Sequence, residues 1–373
     1  MRKKVRAVLL ITLLVLGIYF LAEGRLPFLS PRPNREARYL SLFSEVSRLV
    51  RDRYVDEVDP ADKFPAAFTA LVSSADPDSA YLDEIQTKKY RLFYEGKGYR
   101  LGLFGAIRGE AFWVQGVFPN SPAANAGVVS GDRILAVNDI QVAGLSRWEA
   151  LLSFLFIDAG SCRLTLERET REKPWTIGLF PDIETYPVAI REVAADTAYI
   201  PLCCMTVTYL DRLGLKRMID SGRYLNWILD LRWYSGGDWE GLLRCAEICL
   251  SKTYLTIEKK TMGEKKIQLG TDESLPGHRV CLIDASTVLL AELMAHLLAD
   301  EGVPTVGETT GGYMPLVRQF HLQDGSSVVL SVGRFAVDKG PLPTGGLKPS
   351  ISCPVTDEAI LLARCQSVLG DPG

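Results

Sequence analysis

The chain has 373 residues, 47% of them hydrophobic and 23% charged, with 42 basic and 45 acidic side chains. That length suits two or three domains and that composition an ordinary globular interior, which excludes a single small module, a disordered chain and a polytopic membrane protein. A net charge of −3, with no basic run interleaved with aromatics beyond the first few residues, excludes nucleic acid as the partner.

The charge is unevenly spread. Arg2, Lys3, Lys4 and Arg6 precede the uncharged residues 7–22 (AVLLITLLVLGIYFLA), which leaves 38 basic against 45 acidic side chains in the remaining 351 residues, a charge of −7. Sixteen apolar residues make a helix of about 24 Å, slightly short of a hydrocarbon core of about 30 Å. The basic flank would stay in the cytoplasm and the rest would be exported. Residues 1–24 are therefore expected to be a membrane-anchor helix at the cytoplasmic membrane, with a signal peptide as the alternative, and the bulk of the chain to be periplasmic. Residues 25–34 (RLPFLSPRPN) read as a Pro-rich spacer.

Residues 37–54 place Leu40, Phe43, Val46, Leu49 and Val50 at helical spacing, and residues 64–71 form a second amphipathic stretch. A turn at 76–82 (DPDSAYL) and another helix to about residue 95 complete a helical prelude. From 96 to 170 the texture is β-type, with short runs at 112–117, 133–137 and 162–167 and one helix near 146–155. From residue 193 onward strands at 196–202, 227–232 and 279–284 alternate with helices at 211–221, 241–250 and 288–300, followed by a strand at 326–335 and a Gly/Pro loop at 341–351. This is an α/β pattern with βαβ crossovers.

Eight cysteines in an exported chain suggest disulfides, but Cys203, Cys204, Cys245, Cys249 and Cys281 fall in apolar segments, where Cys acts as a small hydrophobe. No CxxC pair or Cys/His spacing accompanies the histidines His278, His296 and His321, so neither a metal nor any other cofactor is expected.

Two motifs carry a resemblance. Residues 121–127 (SPAANAG) followed by 131–138 (GDRILAVN) are similar to the most recognisable stretch of PDZ domains, and Arg100, Leu101, Gly102 and Leu103 resemble the loop whose backbone N–H groups hold a peptide's C-terminal carboxylate. Gly102 is expected there because a Cβ would crowd that approach. Residues 230–237 (DLRWYSGG) read as a strand breaking into a double-Gly turn, and Gly236 and Gly237 could aim N–H groups at an oxyanion. That run resembles a block of the C-terminal-processing (tail-specific) serine peptidases. The order of the 76–82 turn, the PDZ stretch, Tyr199-Ile200, residues 306–310 (VGETT) and residues 346–349 (GLKP) agrees with the same family.

After the expected anchor (1–24) and the spacer and helical region (25–95), the resemblance implies an α/β fold with a PDZ β-sandwich (96–170) and a peptidase-like domain (171–373). It also implies a Ser nucleophile activated by a Lys base. The family carries that Ser in the block Ser-Ala-Ser-Ala-Ser-Glu, which aligns with residues 287–292 (TVLLAE) and puts Leu289 at the nucleophile position and Glu292 at the Glu. The block Thr-Phe-Gly-Lys-Gly aligns with residues 310–314 (TGGYM), which puts Tyr313 at the base position. No lysine lies between Lys266 and Lys339. The expectation is a pseudopeptidase that binds protein C-termini or unfolded peptides, or that regulates an active peptidase or other exported protein, with homo-oligomerisation left open. One alternative is an active endopeptidase with Ser286 as nucleophile, one helical turn before Leu289; it would need a new base, and His296 and Tyr313 are poor ones. Another is a structural subunit whose ligand is a folded partner.

Overall fold

The computed structural model describes residues 35–370 apart from 77, 96–100, 109, 119, 146, 156–159, 182–188, 235, 261–262, 313–314, 338–339, 344 and 356. The expected anchor, Arg100 and Tyr313 lie outside the described residues. Among the described residues no helix is long and apolar enough to cross a membrane. The chain divides into two compact units, residues 1–67 and 68–373.

The smaller unit contains α1 (Arg35–Arg53), which buries none of its residues, and a 3-10 turn, Pro60–Lys63, capped by the Asp59 side chain on the Ala61 N–H at 2.9 Å. Phe43 packs on Phe64, ring centroids 5.5 Å apart. Helix α2 (Phe64–Ser73) runs into the larger unit.

In that unit the expected 76–82 turn gives way to a three-residue strand, β1 (Ala80–Leu82), too short to show alternation in the sequence. Asp76 fixes it: Oδ2 accepts from Ser79 Oγ at 2.8 Å, and Oδ1 accepts from the Asp78 N–H at 2.8 Å and Ser331 Oγ at 3.1 Å. Helix α3 (Glu84–Tyr94) follows, its first turn closed by a capping box between Asp83 and Gln86.

The PDZ-type sheet is antiparallel: β2 (Leu103–Arg108), β3 (Ala111–Val117), β4 (Arg133–Val137), β5 (Ile140–Gln141), β6 (Cys162–Glu167) and β7 (Trp175–Leu179), with helices α4 (Pro122–Asn125) and α5 (Arg147–Leu155). It continues past residue 170 to Leu179 because β7 pairs with β6 from Cys162 to Leu166. Its interior is its own, built on Leu101, Ile134, Leu164 and Leu166.

The core sheet runs in the order β18 (Ile351–Ser352), β14 (Thr305–Gly307), β13 (His278–Ile283), β10 (Asn226–Asp230), β9 (Thr197–Pro201), β8 (Arg191–Ala194), all parallel except β8. Residues 227–229 of β10 and 280–283 of β13 are apolar without alternation because both faces are covered. One face packs on α8 (Trp239–Cys249) and α9 (Leu289–Asp300) through Leu229, Cys281, Ile283, Cys245, Leu293 and Leu297. The other packs on α10 (Glu358–Gly370) through Ile228, Val280, Leu282, Leu361 and Cys365. The single helix expected at 211–221 is two, α6 (Val207–Leu213) and α7 (Leu215–Asp220), because Gly214 turns left-handed at φ +66° and caps the first. A further sheet joins β1, β11 (Thr253–Lys259), β12 (Gly263–Leu269), β15 (Leu316–His321), β16 (Ser327–Val337) and β17 (Gly340–Pro341). All eight cysteines are buried and none is in a disulfide.

Candidate functional site

Two turns at the carboxyl ends of neighbouring strands β10 and β13 are bound to each other. After β10, Asp230 and Arg232 form a buried ion pair with both residues 2% exposed, and Arg232 Nη2 lies 2.6 Å from Asp230 Oδ2. Tyr199 donates its hydroxyl to the same carboxylate at 2.6 Å. Burial opposes ionisation of both groups, yet their mutual attraction wins: the Asp230 carboxyl is held below its ordinary range and the Arg232 guanidinium above its own. The chain then bends through Trp233, a non-glycine residue at φ +61°. The Trp233 N–H donates to Ser286 Oγ of the β13–α9 turn at 2.6 Å.

Ser286 in turn donates its hydroxyl to Asp284 Oδ1, which also accepts the Ser286 N–H at 2.8 Å. Ser286 is 6% exposed. The side-chain acceptor of the Ser286 hydroxyl is therefore Asp284, two residues away, not His296. Burial pushes the Asp284 carboxyl up to about 6, against the pull of Arg232 and the Ser286 hydrogen bonds. His296, on α9, is buried with no partner on Nε2, and burial lowers its pKa to about 4. It is a neutral interior imidazole.

Leu289 opens α9 in the left-handed region, at φ +54°, after Val288, which supplies no side-chain cap. Its side chain is 5% exposed and belongs to the main apolar cluster. A left-handed non-glycine residue at a strand-to-helix turn is the backbone of a nucleophile elbow, held here by a side chain with no lone pair. Glu292, one turn on and fully buried, reaches the 310–312 segment: Oε1 accepts Thr310 Oγ1 at 2.5 Å and the Gly312 N–H at 3.0 Å. Thr310 is tied to the 346–349 stretch, accepting the Leu347 N–H at 2.7 Å and donating its own N–H to the Leu347 carbonyl at 3.0 Å. The turn at 284–289, Glu292 and the segment leading to Tyr313 are thus brought together.

The double-Gly turn has a packing cause of its own. Gly236 and Gly237 have φ +130° and +145°, and a Cβ would lie 2.0 Å from the Phe93 carbonyl oxygen and 2.2 Å from that of Met205. Close backbone packing already requires both glycines. Gly102 is likewise required within the PDZ domain: at φ +73°, its Cβ would lie 2.1 Å from Ser121 Cβ. The carbonyls of Leu101 and Gly102 accept the N–H groups of Ala123 at 2.9 Å and Phe118 at 2.7 Å, and Leu101 and Leu103 bury their side chains. Of residues 101–103, the backbone is what is left to meet a ligand.

The PDZ domain touches the site through aromatics. Trp233 lies 4.0 Å from Phe118 and 6.1 Å from Phe104, centroid to centroid. Among the described residues no cluster of three or more His, Cys, Asp or Glu could hold a metal ion.

Residues 198–353 match the model of peptidase family S41 and residues 113–153 that of a PDZ domain. The chain is 25% identical over 283 residues to the carboxy-terminal-processing protease of Bartonella bacilliformis, covering 72% of this chain and 64% of that protein. It is 23% identical over 329 residues to the carboxy-terminal processing protease CtpA of Bacillus subtilis, covering 84% and 68%. The chain spans about two thirds of the length of these relatives. The photosystem II D1 C-terminal processing protease shares its fold, with a TM-score of 0.62 at 20% identity over 89% of this chain and 91% of that one. Residues 198–353 thus carry the core of peptidase family S41 and residues 113–153 a PDZ module, and the chain as a whole is similar to the C-terminal-processing serine peptidases.

Proposed function

We propose that this chain is a pseudopeptidase of its family: a membrane-anchored, extracytoplasmic protein that binds the C-termini of proteins or unfolded peptides without cutting them. The observation that carries the reading is Leu289. The elbow at the start of α9 keeps the strained backbone on which a nucleophile would be presented, and its side chain is a buried hydrocarbon. Anchoring and export rest on the apolar residues 7–22 and their cationic flank. The test is paired. The full chain in detergent should not cleave an unfolded substrate, and it should bind a peptide with a free C-terminal carboxylate more tightly than the same peptide as an amide. Turnover, or equal affinity for the two peptides, would sink the corresponding half of the proposal.

A second reading is supported by the contact between Ser286 and Asp284, a hydroxyl on a carboxylate whose pKa lies near 6. It makes Ser286 the nucleophile of an active endopeptidase. Against it stands the Trp233 N–H, which draws on the Ser286 oxygen, and the burial of the hydroxyl. Cleavage that disappears in Ser286→Ala would establish this reading in place of the first.

A further inference from the structure

Where the PDZ domain meets the core there is a cavity of about 430 Å³, lined from the PDZ side by Phe104, Gln115 and Val117 and from the core side by Arg232, Trp233 and Asp284. That volume lies within the range of small-molecule sites. The cavity lies at the carboxyl ends of the parallel strands β10 and β13, the end of an open α/β sheet at which ligands bind. Leu101, Gly102 and Leu103, of the loop expected to hold a peptide carboxylate, are not among its lining residues.

Its polar groups are not all satisfied from within. Asp284 is 2% exposed, and while Oδ1 is committed to Ser286, Oδ2 has no partner. On the PDZ wall Gln115 Oε1 is buried and also without a partner. A buried carboxylate oxygen left unpaired costs free energy, and one that lines a cavity of ligand size asks for a donor from outside the chain. The charge balance specifies which donor. Two buried carboxylates, Asp230 and Asp284, share one cation, Arg232, whose Nε and Nη2 both engage Asp230 at 2.6–3.1 Å, while Glu358 on the rim is paired with Arg191 at 2.6 Å. The uncompensated charge is negative and sits on Asp284. Phe104, Val117, Val128 and Val355 make the surrounding walls apolar.

We propose that this cavity binds a primary ammonium carried on an apolar body, the chemistry of the N-terminus of a short hydrophobic peptide. The ammonium donates to Asp284 Oδ2, with Gln115 Oε1 as the acceptor on the opposite wall. The proposal is independent of whether the elbow at Leu289 is active.

The test is calorimetric titration of the full chain in non-ionic detergent at pH 7 with L-leucyl-L-valinamide, its N-acetyl derivative and hexylammonium. The free-amine dipeptide should bind at least tenfold more tightly than the acetylated one, a difference of about 1.4 kcal/mol. Asp284→Asn keeps the Oδ1 acceptor for Ser286 and should erase that preference. Val129→Trp, at a lining residue that is 46% exposed, should weaken both amines tenfold by narrowing the cavity, and unchanged affinity in it overturns the proposal should Asp284→Asn fail to fold. Binding of hexylammonium without the dipeptide keeps the ammonium site and removes a peptide as its source. Equal affinity for the free and acetylated dipeptides, a preference surviving in folded Asp284→Asn, or no binding of any amine at millimolar concentration overturns the proposal.

Discussion

Leu289 offers a direct measurement of whether the elbow geometry persists. In an ordinary helix interior Gly is about 1 kcal/mol less stable than Ala. At φ +54° the order should reverse, because an L-residue in the left-handed region pays about 1–2 kcal/mol that Gly does not, while Gly's extra loss of backbone freedom returns only about 0.5–1. Both truncations also lose the burial of a side chain that is 5% exposed in the main apolar cluster, roughly 2–5 kcal/mol. That common loss cancels in the difference. Leu289→Gly should therefore be more stable than Leu289→Ala by about 0.5–1 kcal/mol, whereas at Leu290, the next residue of α9, the Gly variant should be the weaker by about 1. Urea unfolding of the four variants, followed by tryptophan emission, reads both differences. A Gly variant weaker than Ala at both positions would show that α9 begins with a regular turn and that no elbow survives.

Two further outcomes follow from the buried polar groups. Glu292→Ala leaves the Thr310 hydroxyl and the Gly312 N–H without their shared acceptor and should cost about 2–4 kcal/mol, with faster amide exchange at Gly312; unchanged exchange would refute the tether. The acid response should hide two opposed titrations. Asp284, raised to about 6, binds more protons in the native state than in the unfolded one between pH 4 and 6, so its contribution falls by about 3 kcal/mol as pH rises through that window. His296, lowered to about 4, binds fewer, so its contribution rises by about 3 kcal/mol between pH 4 and 6.5. In His296→Phe the second is gone, and stability should decline from pH 4 to 6.5 where the parent stays nearly level. Parallel profiles would dismiss the assignment.

What could be read from the sequence is what depends on local pattern. The residues of β10 and β13 announce buried strands because both faces are apolar, and Gly222, Gly236-Gly237 and Pro276-Gly277 mark the turns before both and after β10. The hairpin of β11 and β12 escapes the same reading because Glu264, Lys265 and Lys266 make its outer strand polar on both faces. β1 escapes because three residues carry no period, and its place is set by Ser327–Val329 of β16, some 245 positions away in the chain.

The functional residues divide along the same line, and the division explains why glycine is the poorest guide to chemistry here. Each of Gly102, Gly236 and Gly237 stands in a motif whose family use is anion or oxyanion binding, so its type suggests a ligand. In each case the nearest obstacle to a Cβ is a group of the protein itself, Ser121, Phe93 or Met205, none of which can be located from the local sequence. A glycine required by packing persists whether or not the chemistry does. The informative positions are those where packing would accept the family's residue type and it is nonetheless absent. Leu289 is the clearest: a Ser would fit the same elbow at a cost to nothing but the apolar cluster, and the chain holds a hydrocarbon there under backbone strain. Asp284 is the converse. An acid closing an apolar strand and followed two residues later by Ser is an ordinary turn in sequence, and only the cavity beside it shows that half of its carboxylate is unused.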